Sequence, residues 1–228
     1  MLRSPPVLPA VKDTERIYTE VTEEILTPLG CTFGWDTKIK LMGRTTHDSI
    51  RTLLEETSAP ISHDDYYQKS RELQLAKFHT CRPLPGVERL IRHLKNSGVP
   101  IAVGTSSTET FFKLKTQENQ DLFTQFDTIT CGDDPNVKLG KPHPDIFVEA
   151  QRRLGNPPAS QCLVFEDALN GVKAALRAGM HVVWIPDVNV VQLGLPEDHG
   201  AIEVITSMAD FNPEKYGLPP FNDVAVSG

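Results

Sequence analysis

The sequence has little of what marks a disulfide-rich or zinc-cluster protein. Its four cysteines, Cys31, Cys81, Cys131 and Cys162, lie far apart, and none has C-x-x-C spacing or a histidine at zinc-ligand spacing. Small disulfide frameworks are dense in cysteine, and structural zinc sites show short ligand spacings. We therefore expect free thiols and a reducing compartment, with the cytoplasm as the default localisation.

Long apolar runs and a surplus of positive charge are also missing. The sequence contains no run of about 18 apolar residues, so no membrane span is predicted. The proline-rich start, residues 1–9, is too weakly apolar for a signal peptide. The formal net charge of -7 argues against a general binder of nucleic acids or anionic membranes. The 228 residues are enough for one sizeable core with a smaller insert.

The pattern of apolar residues divides the chain into two parts. Ile17, Val21 and Ile25 recur every four residues, which predicts an amphipathic helix. No convincing strand pattern interrupts the region up to about residue 82, so this part is predicted to be a small helical bundle. After the Pro-Leu-Pro-Gly segment 83–86, short apolar runs alternate with helical patterns. The predicted strands cover 99–104, 126–131, 161–165 and 181–185, with a last apolar run at 201–205.

This alternation predicts a parallel α/β sheet with helices on both faces. In such sheets ligands bind beyond the carboxyl ends of the strands. Three predicted strand ends carry polar residues. Thr105-Ser106 follows the first of these strands, Lys141 lies in the loop after the second, and Glu166-Asp167 follows the third. Together they bring hydroxyls, an amine and two carboxylates to one rim, which suits a phosphate group and a hard cation.

Each of these groups also has an ordinary structural interpretation. A lone Lys141 is typical of a solvated surface, Asp167 can cap the following helix, and hydroxyls in a turn usually satisfy the backbone. Their order and their common position at strand ends favour a shared functional site.

The three groups resemble motifs two, three and four of the haloacid dehalogenase superfamily. They are Thr105-Ser106, the Gly-Lys-Pro-x-Pro-Asp segment 140–145 and the Phe-Glu-Asp-Ala-x-Asn-Gly segment 165–171. Within the superfamily the chain is similar to the branch of pseudouridine-5′-phosphatase, glycerol-3-phosphatase and β-phosphoglucomutase. The Gly-Asp-Asp-Pro segment 132–135 and the Tyr-Gly-Leu-Pro segment 216–219 are most similar to the first two. The resemblance covers residues 13–219, nearly the whole chain.

The resemblance implies a fold and a function. It implies a Rossmann-like three-layer core (1–14 plus 83–228), with an inserted helical cap (15–82). The activity implied is Mg²⁺-dependent hydrolysis of a small phosphomonoester, a nucleotide or polyol phosphate. We expect a monomer whose partner is a small phosphorylated metabolite.

The resemblance also implies a role for each matching residue. Thr105 would hold the phosphoryl group and Lys141 would balance its charge. Asp167, with Glu166, would bind Mg²⁺. Ser106 would contact the substrate, as would Arg44 on the cap loop, although an exposed structural role for Arg44 is equally compatible.

Motif one, Asp-x-Asp-Gly after the first strand, is absent. In the family its first Asp attacks phosphorus to form an aspartyl-phosphate, and its second is the general acid and base. The stretch that follows it ends in Asp-Thr-Glu, which Asp13-Thr14-Glu15 matches. Counting back, the nucleophile position falls on Pro6, the acid–base position on Leu8 and the glycine on Pro9. No Asp or Glu precedes Asp13.

This absence leaves several interpretations open. The start is truncated or mis-spliced and an active form exists elsewhere, the chain is a pseudoenzyme that binds phosphate compounds without turnover, or a group such as Asp133 or Asp13 replaces the nucleophile. A further hypothesis is an unstable product, because Pro5, Pro6 and Pro9 do not suit a central strand. We therefore expect the first core strand to be missing or degenerate, Mg²⁺ binding to be weak or absent, and the chain to be inactive.

Overall fold

A computed structural model of the chain describes residues 6–8, 14–42, 45–192 and 198–221. Asp13 and Arg44, both singled out in the sequence, lie outside these ranges. Within the described ranges, no helix has the length and apolarity needed to cross a membrane.

The region predicted to be a cap contains four helices joined by short loops. They are α1 (Thr14–Leu26), α2 (Trp35–Leu41), α3 (Thr46–Thr57) and α4 (His63–Lys77). α1 follows the pattern predicted from Ile17, Val21 and Ile25, and the four helices agree with the helical bundle predicted for this region. The sequence analysis missed α2, because a seven-residue helix shows too few turns to establish a period.

The helical cap has its own apolar cluster. Ile17, Val21 and Ile25 of α1 are buried, as their spacing predicts, and pack with Tyr66 of α4 and with Phe78. Trp35 of α2 instead packs against the apolar cluster of the sheet domain. The cap thus has a core of its own and one helix that ties it to the sheet. The domain boundaries at 14/15 and 82/83 stay a prediction.

The remaining elements alternate strands with helices, as predicted. They are α5 (Val87–Asn96), β2 (Ala102–Gly104), α6 (Glu109–Thr116), α7 (Gln120–Phe123), β3 (Thr128–Thr130), α8 (Asp145–Arg153), β4 (Leu163–Glu166), α9 (Leu169–Arg177), β5 (His181–Trp184), α10 (Val188–Gln192) and β6 (Glu203–Val204). One apolar cluster contains residues of α5 and α7, and the other contains residues of α8 and α9. Helices therefore cover both faces of the strands, and the three-layer α/β class is confirmed.

All strand pairs among the described residues are parallel. One ladder has the order β1-β4-β5-β6, where β1 is Val7–Leu8, and a second joins β2 to β3. β1 also contacts β2, so it lies where the two ladders meet.

The first strand is degenerate but not missing. It has two residues, with Val7 opposite Leu163 and Leu8 opposite Val164. Pro6 immediately precedes it, and the Pro6 carbonyl accepts a hydrogen bond of 3.0 Å from the Leu163 N–H. Proline is tolerated there because only its acceptor is used and its missing N–H lies outside the ladder.

Gly86 and Gly98 flank α5, and both have the left-handed backbone conformation, with φ of +83° and +69°. A methyl group on Gly86 would lie 2.6 Å from the Ala209 Cα, whereas nothing lies within 4 Å at Gly98. Gly98→Ala should therefore cost only the backbone strain, about 1–2 kcal/mol. Gly86→Ala should cost about 3 kcal/mol or more, since backbone must also move. Urea denaturation measures both variants, and equal losses would contradict this packing.

Candidate active site

The ends of β2 and β4 open onto a cavity between the cap and the sheet domain. Its volume is about 700 Å³, which lies within the roughly 300–1,000 Å³ typical of small-molecule sites. The predicted site residues that the structure describes all line it. They are Thr105, Ser106, Lys141, Glu166 and Asp167. The sequence therefore predicted correctly that these strand ends meet at one place.

Lys141 and Glu166 form a buried ion pair at the floor of this cavity. Their side chains are 10% and 7% exposed. The Lys141 Nζ also donates to the carbonyl oxygen of Gly104, at 3.1 Å, and lies 4.7 Å from the centroid of the Phe147 ring. Burial raises the pKa of the Glu166 carboxyl, and the nearby Lys141 charge opposes that shift. The solvated interpretation of Lys141 is therefore wrong.

Gly171 allows α9 to approach this ion pair. A methyl group at Gly171 would overlap the Glu166 carboxylate, so any larger residue here requires that carboxylate to move. The close contact with Glu166 thus explains the glycine at the end of the 165–171 segment, which the sequence alone did not explain.

Asp145 shapes the loop that carries Lys141. Its Oδ2 accepts hydrogen bonds of 3.0 Å from the backbone N–H groups of Lys138 and Leu139. The side chain therefore holds the segment just before Lys141, which explains why Lys and Asp occur together in this motif.

The loop after β2 is held from two sides. The Thr105 N–H donates to the Thr130 carbonyl at 3.0 Å, and Thr105 Oγ1 accepts from the Ser107 N–H at 3.2 Å. Gly132 approaches so closely that a Cβ there would lie 2.5 Å from the Ser106 carbonyl oxygen. Thr105 and Ser106 are thus fixed by the neighbouring strand end.

The start of α6 is already capped. The Glu109 N–H donates to Asp133 Oδ1 at 2.9 Å, and the Phe111 N–H donates to Thr108 Oγ1 at 3.4 Å. These two N–H groups are therefore not available to a phosphate. By contrast, nothing among the described residues accepts from the Ser106 N–H. Asp133 is also engaged, which disfavours it as a replacement nucleophile.

A family model for haloacid dehalogenase-like hydrolases matches residues 12–179. The chain belongs to this family. A protein of Drosophila melanogaster named probable pseudouridine-5′-phosphatase is 43% identical over 213 residues, which are 92% of this chain and 91% of the relative. The Arabidopsis thaliana (DL)-glycerol-3-phosphatase 2 is 41% identical over 215 residues, covering 92% of this chain and 88% of the relative.

Solved structures have the same haloacid dehalogenase-like fold. A Deinococcus radiodurans HAD family hydrolase with bound phosphate and sodium gives a TM-score of 0.76 at 22% identity, covering 96% of this chain and 98% of its own. CbbY of Rhodobacter sphaeroides in complex with phosphate gives 0.72 at 24% identity, covering 91% of this chain and 96% of its own.

The positions counted for motif one lie below the rim of the sheet. Leu8 is opposite Val164, two residues before the strand end at Glu166, and Pro6 is two residues further back. Neither side chain can supply a carboxylate. The assignment of the family's nucleophile and acid–base positions to Pro6 and Leu8 stays a prediction.

Haloacid dehalogenase-like phosphatases generally use Mg²⁺, and Asp167 is the residue best suited to hold it. Its carboxylate lines the cavity and has no hydrogen bond or ion pair within the described residues. Glu166, the other predicted ligand, is instead paired with Lys141. No group of three or more His, Cys, Asp or Glu among the described residues is placed to share an ion. Mg²⁺ in proteins usually takes one or two carboxylates and completes its shell with water and phosphate oxygens, so Asp167 would be the carboxylate ligand that this rim offers to the ion.

The sequence analysis missed four charged residues that line the cavity: Glu15, Lys38, Arg71 and Lys115. Lys38, 6% exposed, donates to the Glu15 carbonyl at 3.2 Å and to Thr19 Oγ1 at 2.7 Å. Lysines on helices are usually solvated, so nothing in the sequence indicated that these lysines are buried. Only Glu15 could have been found, because it belongs to the Asp-Thr-Glu segment that matches the family.

Gly171→Ala should disrupt the Lys141–Glu166 pair. Alanine normally favours a helix over glycine by about 1 kcal/mol. Here the overlap with Glu166 should reverse that sign and destabilise the protein by about 2–3 kcal/mol, because a buried charged group must move. The matched control is Gly140→Ala, where nothing lies within 4 Å. Chemical denaturation should show a loss for Gly171→Ala alone, and a stabilised Gly171→Ala variant would contradict the geometry.

Glu15 should make stability depend on pH. Burial, with the negative charge of Asp167, raises the pKa of the Glu15 carboxyl from 4.5 to about 7, although Lys38 and Lys115 oppose the shift. A raised folded-state pKa stabilises the fold below pH 4.5, and this contribution is lost as pH rises to about 7. Glu15→Gln should therefore gain up to about 3 kcal/mol over the natural chain between pH 4.5 and 7.5.

The control for this effect is Glu23→Gln, which changes an exposed carboxyl on the same helix. Unfolding free energies of the three proteins at several pH values give the comparison. A difference between Glu15→Gln and the natural chain that does not vary with pH would contradict it.

Proposed function

We propose that the cavity binds the phosphate group of a small phosphomonoester, a nucleotide or polyol phosphate, and that this chain does not hydrolyse it. The observation that carries the proposal is the set of groups at the rim. Lys141, Thr105 and the Ser106 N–H lie together around the end of β2, and Pro6 and Leu8, which lie further back along the sheet, offer no carboxylate.

The binding half of the proposal follows from charge and hydrogen bonding. Lys141 is fixed by the Gly104 carbonyl and by Glu166, so its ammonium is already oriented when an anion arrives. The Ser106 N–H and the hydroxyls of Thr105 and Ser106 add neutral donors around it. Preoriented donors of this kind bind phosphate oxygens at a low reorganisation cost.

The proposed lack of hydrolysis follows from the carboxylates that lie in or near the cavity. Glu166 is neutralised by Lys141, and Asp133 caps α6. Asp167 and Glu15 still line the cavity, and burial holds the Glu15 pKa near 7. Aspartyl-phosphate chemistry needs one carboxylate as nucleophile and a second group as acid and base. No described residue of β1 supplies either.

The names of the relatives suggest the substrate class. They include pseudouridine-5′-phosphatase and glycerol-3-phosphatase, and the chain covers most of their length. A cavity of about 700 Å³ has room for a phosphate with a nucleoside or polyol attached. Its cap side carries aromatic and polar side chains from α3 and α4, including His47, Tyr66 and Tyr67.

A second candidate function is hydrolysis with a different nucleophile. The observation in its favour is the Asp167 carboxylate, which has no partner among the described residues and faces the cavity. Phosphate release by the chain itself would favour this candidate over binding alone.

Binding without turnover is the expected outcome. Calorimetry should show inorganic phosphate and pseudouridine monophosphate binding to the natural chain. Lys141→Met should weaken both by about tenfold or more, since a charged hydrogen-bond donor is lost. Lys138→Met, an exposed lysine in the same loop, should leave affinity unchanged.

Turnover is measured separately with p-nitrophenyl phosphate, pseudouridine monophosphate and glycerol phosphate, with and without Mg²⁺. A comparison protein has its first residues replaced by a strand that ends in Asp-x-Asp-Gly. We expect phosphate release from that protein alone. Release from the natural chain would refute the catalytic half of the proposal, and lack of binding up to millimolar ligand would refute the binding half.

A further inference from the structure

Lys115 is a buried lysine that the phosphate site does not explain. It lies on α6 with 7% of its surface exposed, although its neighbour Lys113 on the same helix is an exposed residue paired with Glu109. Burying an ammonium group is costly unless its donors find acceptors. Its position therefore calls for a specific set of partners.

The partners of Lys115 come from both sides of the cavity. Its Nζ donates to Ser107 Oγ at 2.9 Å, in the loop after β2. It also donates to the Tyr18 hydroxyl at 3.1 Å, on cap helix α1. The ammonium lies 4.3 Å from the centroid of the Phe78 ring, next to the end of α4. One charged group thus contacts the sheet domain and the cap at the same time.

The Ser107 side of this bridge leads directly to the phosphate site. The Ser107 N–H donates to Thr105 Oγ1 at 3.2 Å, and its carbonyl accepts from the Gly132 N–H at 2.8 Å. The side-chain bond to Lys115 is a third restraint on the same residue. Since Ser106 lies between Thr105 and Ser107, these restraints also set the direction of its N–H.

The Tyr18 side of the bridge leads to the cap. The Tyr18 ring packs edge-to-face on Phe78, with centroids 5.4 Å apart, and Phe78 is fully buried in the cap cluster. Glu15, one turn before Tyr18 on α1, lines the cavity, and the Lys115 charge reaches its carboxyl. A shift of Lys115 would therefore change contacts on both sides of the cavity, at the loop after β2 and at cap helix α1.

We propose that Lys115 is a positioning residue that holds the phosphate-binding loop and cap helix α1 in one arrangement, through Ser107 and Tyr18. Phosphate bound at Thr105 and Ser106 reduces the motion of the loop. Because Lys115 bonds both Ser107 and Tyr18, the motion of α1 is reduced as well. Ligand affinity and the order of the cap are coupled by this contact. The inference rests on the proposed phosphate site and adds a residue that acts on it through Ser107.

The test uses the natural chain, Lys115→Met and the matched control Lys113→Met, with inorganic phosphate as the probe. Calorimetry gives the affinity, and amide hydrogen exchange of residues 14–26 gives the order of α1 with and without phosphate. We expect Lys115→Met to weaken phosphate binding by about tenfold and to abolish the phosphate-dependent protection of α1. Lys113→Met should behave like the natural chain.

Tyr18→Phe is the second variant, and it removes only the hydroxyl that accepts from Lys115. It should keep phosphate affinity within about threefold but lose most of the ligand-dependent protection of α1. If Lys115→Met does not fold, Tyr18→Phe decides the question, and unchanged protection in this variant overturns the proposal.

The remaining outcomes are distinguishable. A purely structural lysine would lower the melting temperature of Lys115→Met but leave phosphate affinity and the protection difference unchanged, and that result overturns the inference alone. No phosphate binding by the natural chain overturns the proposed function and this inference with it.

Discussion

The buried ion pair between Lys141 and Glu166 is the contact on which the site depends. It joins the loop after β3 to the end of β4, and the Gly104 carbonyl at the end of β2 accepts from the same ammonium. Removing one partner of a buried pair leaves an uncompensated charge, which typically costs about 3–5 kcal/mol. Gly171 and Asp145 serve this pair by making room for Glu166 and by shaping the Lys141 loop.

Because this ion pair is buried, the presence of the Lys141 and 165–171 motifs does not by itself imply catalysis. A chain released from catalysis would be expected to lose its catalytic residues, so Lys141 and the 165–171 segment first suggest an active ancestor. In the structure, however, Lys141 and Glu166 also form a buried ion pair, and Gly171 packs directly against it. Their presence is therefore compatible with selection for folding or for binding alone, and it does not require hydrolysis by this chain.

The parallel α/β fold, the positions of its strands and the cluster at the strand ends were predictable from the sequence. The spacing of apolar residues and the turn residues indicate each strand and helix from a short stretch of sequence alone. The sequence could not show that Lys115 and Lys38 are buried, since their partners lie on elements distant in the chain. Nor could it show that Asp133 caps α6, a contact across 24 positions. The start was misjudged in one respect. Pro6 does not prevent a strand, because it precedes the ladder and uses only its carbonyl.

The account rests on an anion site built from Thr105, Ser106 and Lys141, beside a first strand that offers no carboxylate. A crystal of the natural chain soaked in sodium tungstate tests it most directly, because tungsten can be located by its anomalous scattering. We predict one strong peak within hydrogen-bonding distance of the Lys141 Nζ and the Ser106 N–H, with no protein oxygen in line behind the anion. A peak elsewhere, or a carboxylate poised opposite Lys141 to attack the anion, would contradict it.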